Sequence, residues 1–216
     1  QRAYDNVIHD VALQGLHVVM CLDRAGLVGE DGATHHGAFD LAYFGCIPNL
    51  TVASPLDERE LRNLLYTALQ SGVPFVVRYP RGKGEGAAWR DEAFERLPIG
   101  RGRRLTEGDD MAVLTIGPVG NVAARAVKRA AAEGVSAAHY DLRFARPLDE
   151  ELLDEVGRRF ERVVTVEDGV VRGGVGSTVR DFFDRRGYRT QVRSLGIPDD
   201  RFVEHGTPAE LYAQCG

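Results

Sequence analysis

Thiols, long apolar runs and surplus basic charge are what this sequence has least of. Its three cysteines, Cys21, Cys46 and Cys215, are far apart and suit neither a disulfide framework nor a zinc site. So few thiols point to a reducing compartment. The first two lie in apolar segments and read as inert buried thiols. No apolar run approaches the ~18 residues of a membrane span. Twenty-seven Lys and Arg against 32 Asp and Glu give a net charge of −5, with the bases dispersed, which argues against nucleic acid as a partner. The N-terminus has no initiator Met, no N-cap and no signal peptide. Residues 1–13 read as a helix already under way, with Tyr4, Val7, Ile8, Val11 and Ala12 on one face. An internal piece of a longer polypeptide is the expectation.

What is present is ordinary in bulk, 44% apolar and 27% charged, and unusual in one place. Residues 23–40, Asp-Arg-Ala-Gly-Leu-Val-Gly-Glu-Asp-Gly-Ala-Thr-His-His-Gly-Ala-Phe-Asp, follow the apolar run His17–Leu22. That run has the β-branched content of a buried strand. A loop of acids, an arginine, histidines and glycines after such a strand stands where α/β sheets bind ligands.

The rest of the chain alternates strands and helices, which predicts parallel sheets in two modules. In the first, a short helix at 39–46, a strand at 50–53, a helix at 57–70 and a strand at 75–79 follow the loop. Leu61, Leu64, Leu65, Ala68 and Leu69 form the apolar stripe of the longer helix. Residues 83–110 are rich in Gly, Arg and Glu and read as an irregular linker. The second module, 111–216, has strands at 111–116, 135–142, 163–166 and 191–195, helices at 119–132, 148–160 and 176–186, and a short terminal helix. The second module reads as a complete small α/β domain, and residues 1–82 as the latter part of one.

Arg24 follows the first strand and Arg81 follows the strand at 75–79. If those strands are parallel neighbours, both guanidinium groups emerge at one rim, where they form either a bidentate phosphate clamp or a pair of ion-paired surface arginines. Asp31 and His35 could bind hydroxyls and move protons near neutral pH, or be hydrogen bonded structurally. His36 would point elsewhere. His9 and His17 belong to the surface, His139 reads as a satisfied core or edge histidine, and His205 as a cap of the last helix. Glu167-Asp-Gly169 and the glycines at 173, 174 and 176 form a helix entry, and helix-on-sheet packing is favoured there over anion binding.

The 23–40 loop, Val77-Arg-Tyr-Pro-Arg-Gly82, Val166-Glu-Asp-Gly169, Gly173-Gly-Val-Gly-Ser177 and Leu195-Gly-Ile-Pro-Asp199 together resemble the 1-deoxy-D-xylulose-5-phosphate synthases, a transketolase-like family. The resemblance covers essentially the whole chain. It implies part of a parallel-sheet pyrimidine-binding domain followed by a transketolase C-terminal domain. It also implies a homodimer using thiamine diphosphate and Mg2+ to condense pyruvate with glyceraldehyde 3-phosphate, releasing CO2. Arg24 and Arg81 would then hold the phosphate, Asp31 would bind substrate hydroxyls, and His35 would contact the substrate and assist proton transfer. The family's N-terminal portion, with its metal ligands, diphosphate site and activating glutamate, has no counterpart in these residues, so the chain alone is expected to be inactive. The setting implied is a bacterial cytoplasm, or a plastid if a transit peptide lies upstream. The rival readings are a transketolase half, the β subunit of a 2-oxoacid dehydrogenase and a structural dimerisation module. A 2-oxoacid dehydrogenase β subunit would lack the two phosphate-binding arginine motifs.

Overall fold

The computed structural model describes residues 2–86 and 88–216. The opening helix α1 runs over Tyr4–Asn6 and continues over Val7–Ala12 with wider turns, Leu13 N–H reaching Ile8 O. Gln1, the expected first residue of that helix, lies outside the described residues. Of its expected apolar face, Tyr4, Val7 and Ile8 pack with buried Ala12 in the core.

The first sheet joins β1 (Val19–Leu22), β2 (Thr51–Ala53), β3 (Phe75–Arg78) and, from the second module, β7 (Phe144–Arg146). Their order is β1-β3-β2-β7, parallel except for β7. Helices α2 (Asp40–Gly45) and α3 (Glu58–Leu69) connect its strands. The second sheet contains β4 (Arg103–Thr106), β5 (Met111–Ile116), β6 (Ala137–Asp141), β8 (Arg162–Val170) and β9 (Gln191–Ile197), in the order β4-β6-β5-β8-β9. Only β4 runs antiparallel to its neighbour. Helices α4 (Val119–Ala132), α5 (Glu150–Arg159), α6 (Val175–Arg186) and α7 (Pro208–Cys215) complete the module. The two-sheet α/β architecture agrees with the expectation.

One apolar core runs from the first module into the second, through Leu41, Phe44, Val52, Leu114, Tyr140, Leu153 and Val179. With β7 donated to the first sheet, the modules share both a core and a sheet, so the end of β3 faces β8 across their junction.

Five expectations are corrected. The linker is not wholly irregular: residues 103–106 are β4, held to β6, and Leu97 is buried against α3 and Phe144. Ala87, within that linker, lies outside the described residues. The first strand is not buried: β1 is an edge strand whose side chains are half-buried or exposed, and Cys21 and Cys46 are exposed thiols. The buried face of α3 is turned toward Glu60, Asn63, Leu64, Thr67 and Ala68, leaving Leu69 66% exposed. Polar residues can sit there because each finds a partner: Glu60 takes Arg143 Nε at 2.7 Å, and Thr67 takes Leu97 N–H at 2.8 Å. His205 does not cap α7; Thr207 does, in a reciprocal capping box with Glu210. His139 is buried but only half satisfied: Nε2 lies 3.0 Å from Thr115 Oγ1, and Nδ1 has no hydrogen-bond partner.

Candidate active site

Strand β3 sets the geometry. It lies parallel to β1 with Leu22 opposite Arg78, so the chain leaves both strands at the same rim. Arg24 leaves β1 with φ of +64°, and the next amide, Ala25 N–H, donates to Tyr79 O at 3.0 Å. The two strand ends are thereby tied together just where the two candidate arginines begin.

Both arginines turn toward one carboxylate. Arg81 Nη1 pairs with Asp31 Oδ2, and Arg24 Nε lies 3.8 Å from the same oxygen. Arg24 also pairs with Asp23, yet its Nε has no hydrogen-bond partner despite being shielded from solvent. The donor set is therefore incompletely used. Arg81 remains 56% exposed, so an anion can reach it from solvent. The hydrogen bond from Arg81 outweighs the opposing effect of burial and holds the Asp31 carboxyl below its usual range, with the charges of Arg81, His35 and Arg24 adding to the effect.

The loop between these residues is closed like a noose. Gly26 N–H donates to Gly37 O at 3.1 Å, and Gly37 N–H returns to Gly26 O at 2.9 Å. Inside it, Gly29–Asp31 forms a single tight turn, and His35 N–H donates to Gly32 O at 3.0 Å. Glycine at 37 is a steric requirement, because a Cβ there would stand 2.2 Å from Arg24 O. His35 is exposed, its Nδ1 2.9 Å from Thr34 Oγ1. His36 turns inward: Nδ1 accepts Val28 N–H at 3.1 Å, and Nε2 lies 3.0 Å from Glu204 O. The structure thus places Arg24, Asp31, His35 and Arg81 at one open rim, and gives His36 to the scaffold.

Beneath the rim lies a group that sequence reasoning passed over. Arg78, the last residue of β3, is completely buried. Its Nη1 donates to Asp168 Oδ1 at 2.5 Å, its Nε is ion-paired with Asp40 Oδ2 at 3.0 Å, and its Nη2 donates to Gly37 O at 3.1 Å. Burial lowers the affinity of Arg78 for its proton, but Asp168 and Asp40 more than offset this and leave it raised. Burial likewise raises the Asp40 carboxyl, against the pull of Arg78. The available signal was a single arginine inside the apolar strand Phe75–Tyr79, which demanded buried acids.

The entry to α6 is filled by the protein itself. Glu167 Oε2 accepts Val175 N–H at 2.9 Å and Oε1 accepts Gly176 N–H at 2.8 Å, while burial pushes its carboxyl up to about 7. A Cβ on Gly176 would meet Thr165 Oγ1 at 2.4 Å, so this glycine serves helix-on-sheet packing. No group of three or more His, Cys, Asp or Glu suited to a metal ion occurs among the described residues, and no helix among them is long and apolar enough to cross a membrane.

Comparison with known proteins gives the chain a family. Residues 1–85 match the family model for the transketolase pyrimidine-binding domain, and residues 100–216 match that for the transketolase C-terminal domain. The whole chain is 61% identical to a 1-deoxy-D-xylulose-5-phosphate synthase of Bacteroides thetaiotaomicron and 58% identical to that of Bacteroides fragilis, covering 33% of each. Over 95% of the chain, identity to the Aquifex aeolicus synthase is 50%, covering 32% of that protein. The chain therefore spans about a third of the length of these curated relatives. A solved structure described as a split gene transketolase, inactive beta4 tetramer, superposes with a TM-score of 0.86 at 30% identity, over 100% of this chain and 67% of that one. The chain belongs to the transketolase family, uniting a pyrimidine-binding segment with a C-terminal domain in a sequence similar to the 1-deoxy-D-xylulose-5-phosphate synthases.

Proposed function

We propose that these residues are the C-terminal portion of a 1-deoxy-D-xylulose-5-phosphate synthase, which condenses pyruvate with glyceraldehyde 3-phosphate and releases CO2. The product would feed isoprenoid, thiamine and pyridoxal synthesis. The observation that carries this reading is the convergence of Arg24 and Arg81, from neighbouring strand ends, on one oxygen of Asp31. Two cationic forks around one carboxylate make a site for an anion, and the spare Arg24 Nε supplies a further donor for a phosphate oxygen. In this reading Arg24 and Arg81 hold the acceptor's phosphate. Asp31, released from Arg81 as phosphate arrives, accepts hydrogen bonds from the acceptor's hydroxyls. His35, exposed at the same rim, contacts the substrate and moves a proton. Residues 1–82 complete the pyrimidine-binding domain, 83–110 link it to residues 111–216, and the working enzyme is a homodimer in a bacterial cytoplasm.

The family depends on thiamine diphosphate, which supplies the carbanion chemistry when bound. The described residues do not fit its diphosphate and Mg2+: they offer no cluster of metal-binding side chains, and the α6 N-terminus is taken by Glu167. Those ligands would therefore come from the part of the longer relatives that this chain does not span. It follows that the isolated chain is inactive, a reading supported by the inactive transketolase assembly of like fold. The rival is a transketolase half, for which ribose 5-phosphate would be an acceptor.

Three measurements test the reading. In the complete enzyme, Arg81→Ala should cost roughly 1.5–3 kcal/mol in glyceraldehyde 3-phosphate specificity, about one to two decades, with KM for pyruvate little changed. The isolated chain, given cofactor and both substrates, should form no product. Equal losses for both substrates, carboligation by the chain alone, or a preference for ribose 5-phosphate would each overturn the corresponding part.

A further inference from the structure

The rim residues are exposed and their backbone is a loop, so something must hold them at working distance from one another. The neck of the noose, Gly26 and Gly37, is where that distance is set. Arg24 lies on one side of the neck, with its carbonyl against Gly37; Asp31 and His35 lie inside the noose. Arg81, by contrast, follows the end of β3 and lies outside the noose. Any displacement of Gly37 relative to β3 therefore changes the spacing between Arg81 and the other three groups.

We propose that Arg78 is a positioning residue for the acceptor site, fixing the neck of the loop to β3 through the carbonyl of Gly37. Three observations carry this. Arg78 is the last residue of β3, three residues before Arg81, and is completely buried, so it touches no substrate itself. Its Nη2 holds Gly37 O at 3.1 Å, leaving Nη1 and Nε to be anchored from two directions. Asp40, the first residue of α2, ends the loop, and Asp168 belongs to β8 of the other module. Asp168 also lies directly under Gly26, its Oδ2 3.0 Å from where a Cβ would be. Arg78 is thus braced by the loop's exit and by the second domain while it grips the loop's neck.

Residues 111–216 accordingly acquire a share in substrate recognition without reaching the substrate. The planar guanidinium is required because one group must satisfy two carboxylates and a carbonyl in different directions; an ammonium can supply the charge but not that geometry. This inference rests on the acceptor-site reading above.

The test uses the complete enzyme with Arg78→Lys and the milder Asp168→Asn, and Arg81→Ala as a direct-contact control. Because a misplacement of about 1 Å can cost up to about 100-fold, Arg78→Lys should raise KM for glyceraldehyde 3-phosphate roughly tenfold or more. KM for pyruvate should stay within about threefold, and Asp168→Asn should change the two in the same unequal way by less. Amide hydrogen exchange at Gly26 and Gly37 should accelerate in both variants while β3 and β5 stay protected. Equal changes in both KM values, or unaltered exchange at the two glycines, would overturn the proposal. If Arg78→Lys does not fold, Asp168→Asn decides alone. If Arg81→Ala leaves the phosphate acceptor's KM unchanged, the acceptor-site reading fails, and the exchange measurement still judges the role of Arg78.

Discussion

Arg78 and Arg81 leave the same strand end three residues apart, and each is paired with aspartate, yet their surroundings are opposite. Arg78 is sealed between two carboxylates and a carbonyl at the junction of the modules. Arg81 is 56% exposed and shares its aspartate with Arg24. A sealed ion cluster has fixed geometry and pays heavily if one member is lost; an open pair is screened by water, contributes little to stability and can exchange its partner. The same residue type at one strand end thus stands in a sealed or an open setting, according to which side of the rim it faces.

The largest expected effect comes from breaking the sealed side. Arg78→Met would leave Asp40 and Asp168 buried together without a cation, and should lower unfolding stability by about 3–5 kcal/mol. Arg81→Ala, removing an exposed pair, should change stability by less than ~1 kcal/mol. Denaturant unfolding of the two variants measures this directly, and comparable losses would erase the distinction drawn between the two arginines.

A second test asks whether burial without a counter-charge behaves as burial with one. His139, on β6 between β4 and β5, is held neutral by burial, which lowers its imidazole pKa to about 4. The unfolded chain binds that proton near pH 6.5, so its contribution is intact above 6.5 and is lost as pH falls toward 4. The loss amounts to about 3 kcal/mol at the acid end. Burial pushes Asp141 on the same strand up to about 7, and a raised carboxyl acts in the opposite sense, being least favourable at high pH. The measurement is therefore a difference: His139→Gln should be less stable at pH 7, but its stability should fall less steeply between pH 6.5 and 4. Parallel pH profiles for the variant and the parent would show that His139 takes up its proton without cost.

What could be read from the sequence follows the same division. Strands β3 and β5 and helix α4 were legible because their patterns are local: Phe75–Val77 and Met111–Ile116 are short, largely apolar runs, and Val119–Ala132 repeats alanine and valine at helical spacing. The open rim was legible too, since Arg24, Asp31, His35 and Arg81 are local in the chain or follow strand ends. Features made by distant partners were not. Strand β7 exists because Val52 and Ala53 lie beside residues 144–146, and no local pattern marks so short a pairing. The polar face of α3 is buried only because residues 95–97 and Arg143 cover it. Cys21 looks buried in a local apolar run, but β1 is an edge strand, and edge position is a property of the assembled sheet. Asp40 and Asp168, 128 positions apart, carry no sign of sharing one arginine.

The smallest effect probes the open side most finely. Arg81→Lys keeps the positive charge beside Asp31 and removes the planar fork. If the proposed phosphate clamp works by charge alone, the complete enzyme should scarcely respond. If it works by bidentate geometry, KM for glyceraldehyde 3-phosphate should rise by roughly fivefold, about 1 kcal/mol, with pyruvate unaffected. The salt dependence of that KM separates the two cases further. A charge retained in solvent leaves the slope against ionic strength unchanged even where affinity falls, because screening acts on the net charge and not on the shape of the group that bears it. A fivefold loss with unchanged slope would assign the specificity of the rim to guanidinium geometry, the same property that Arg78 uses behind it. A loss accompanied by a shallower slope would mean that the lysine no longer reaches the anion.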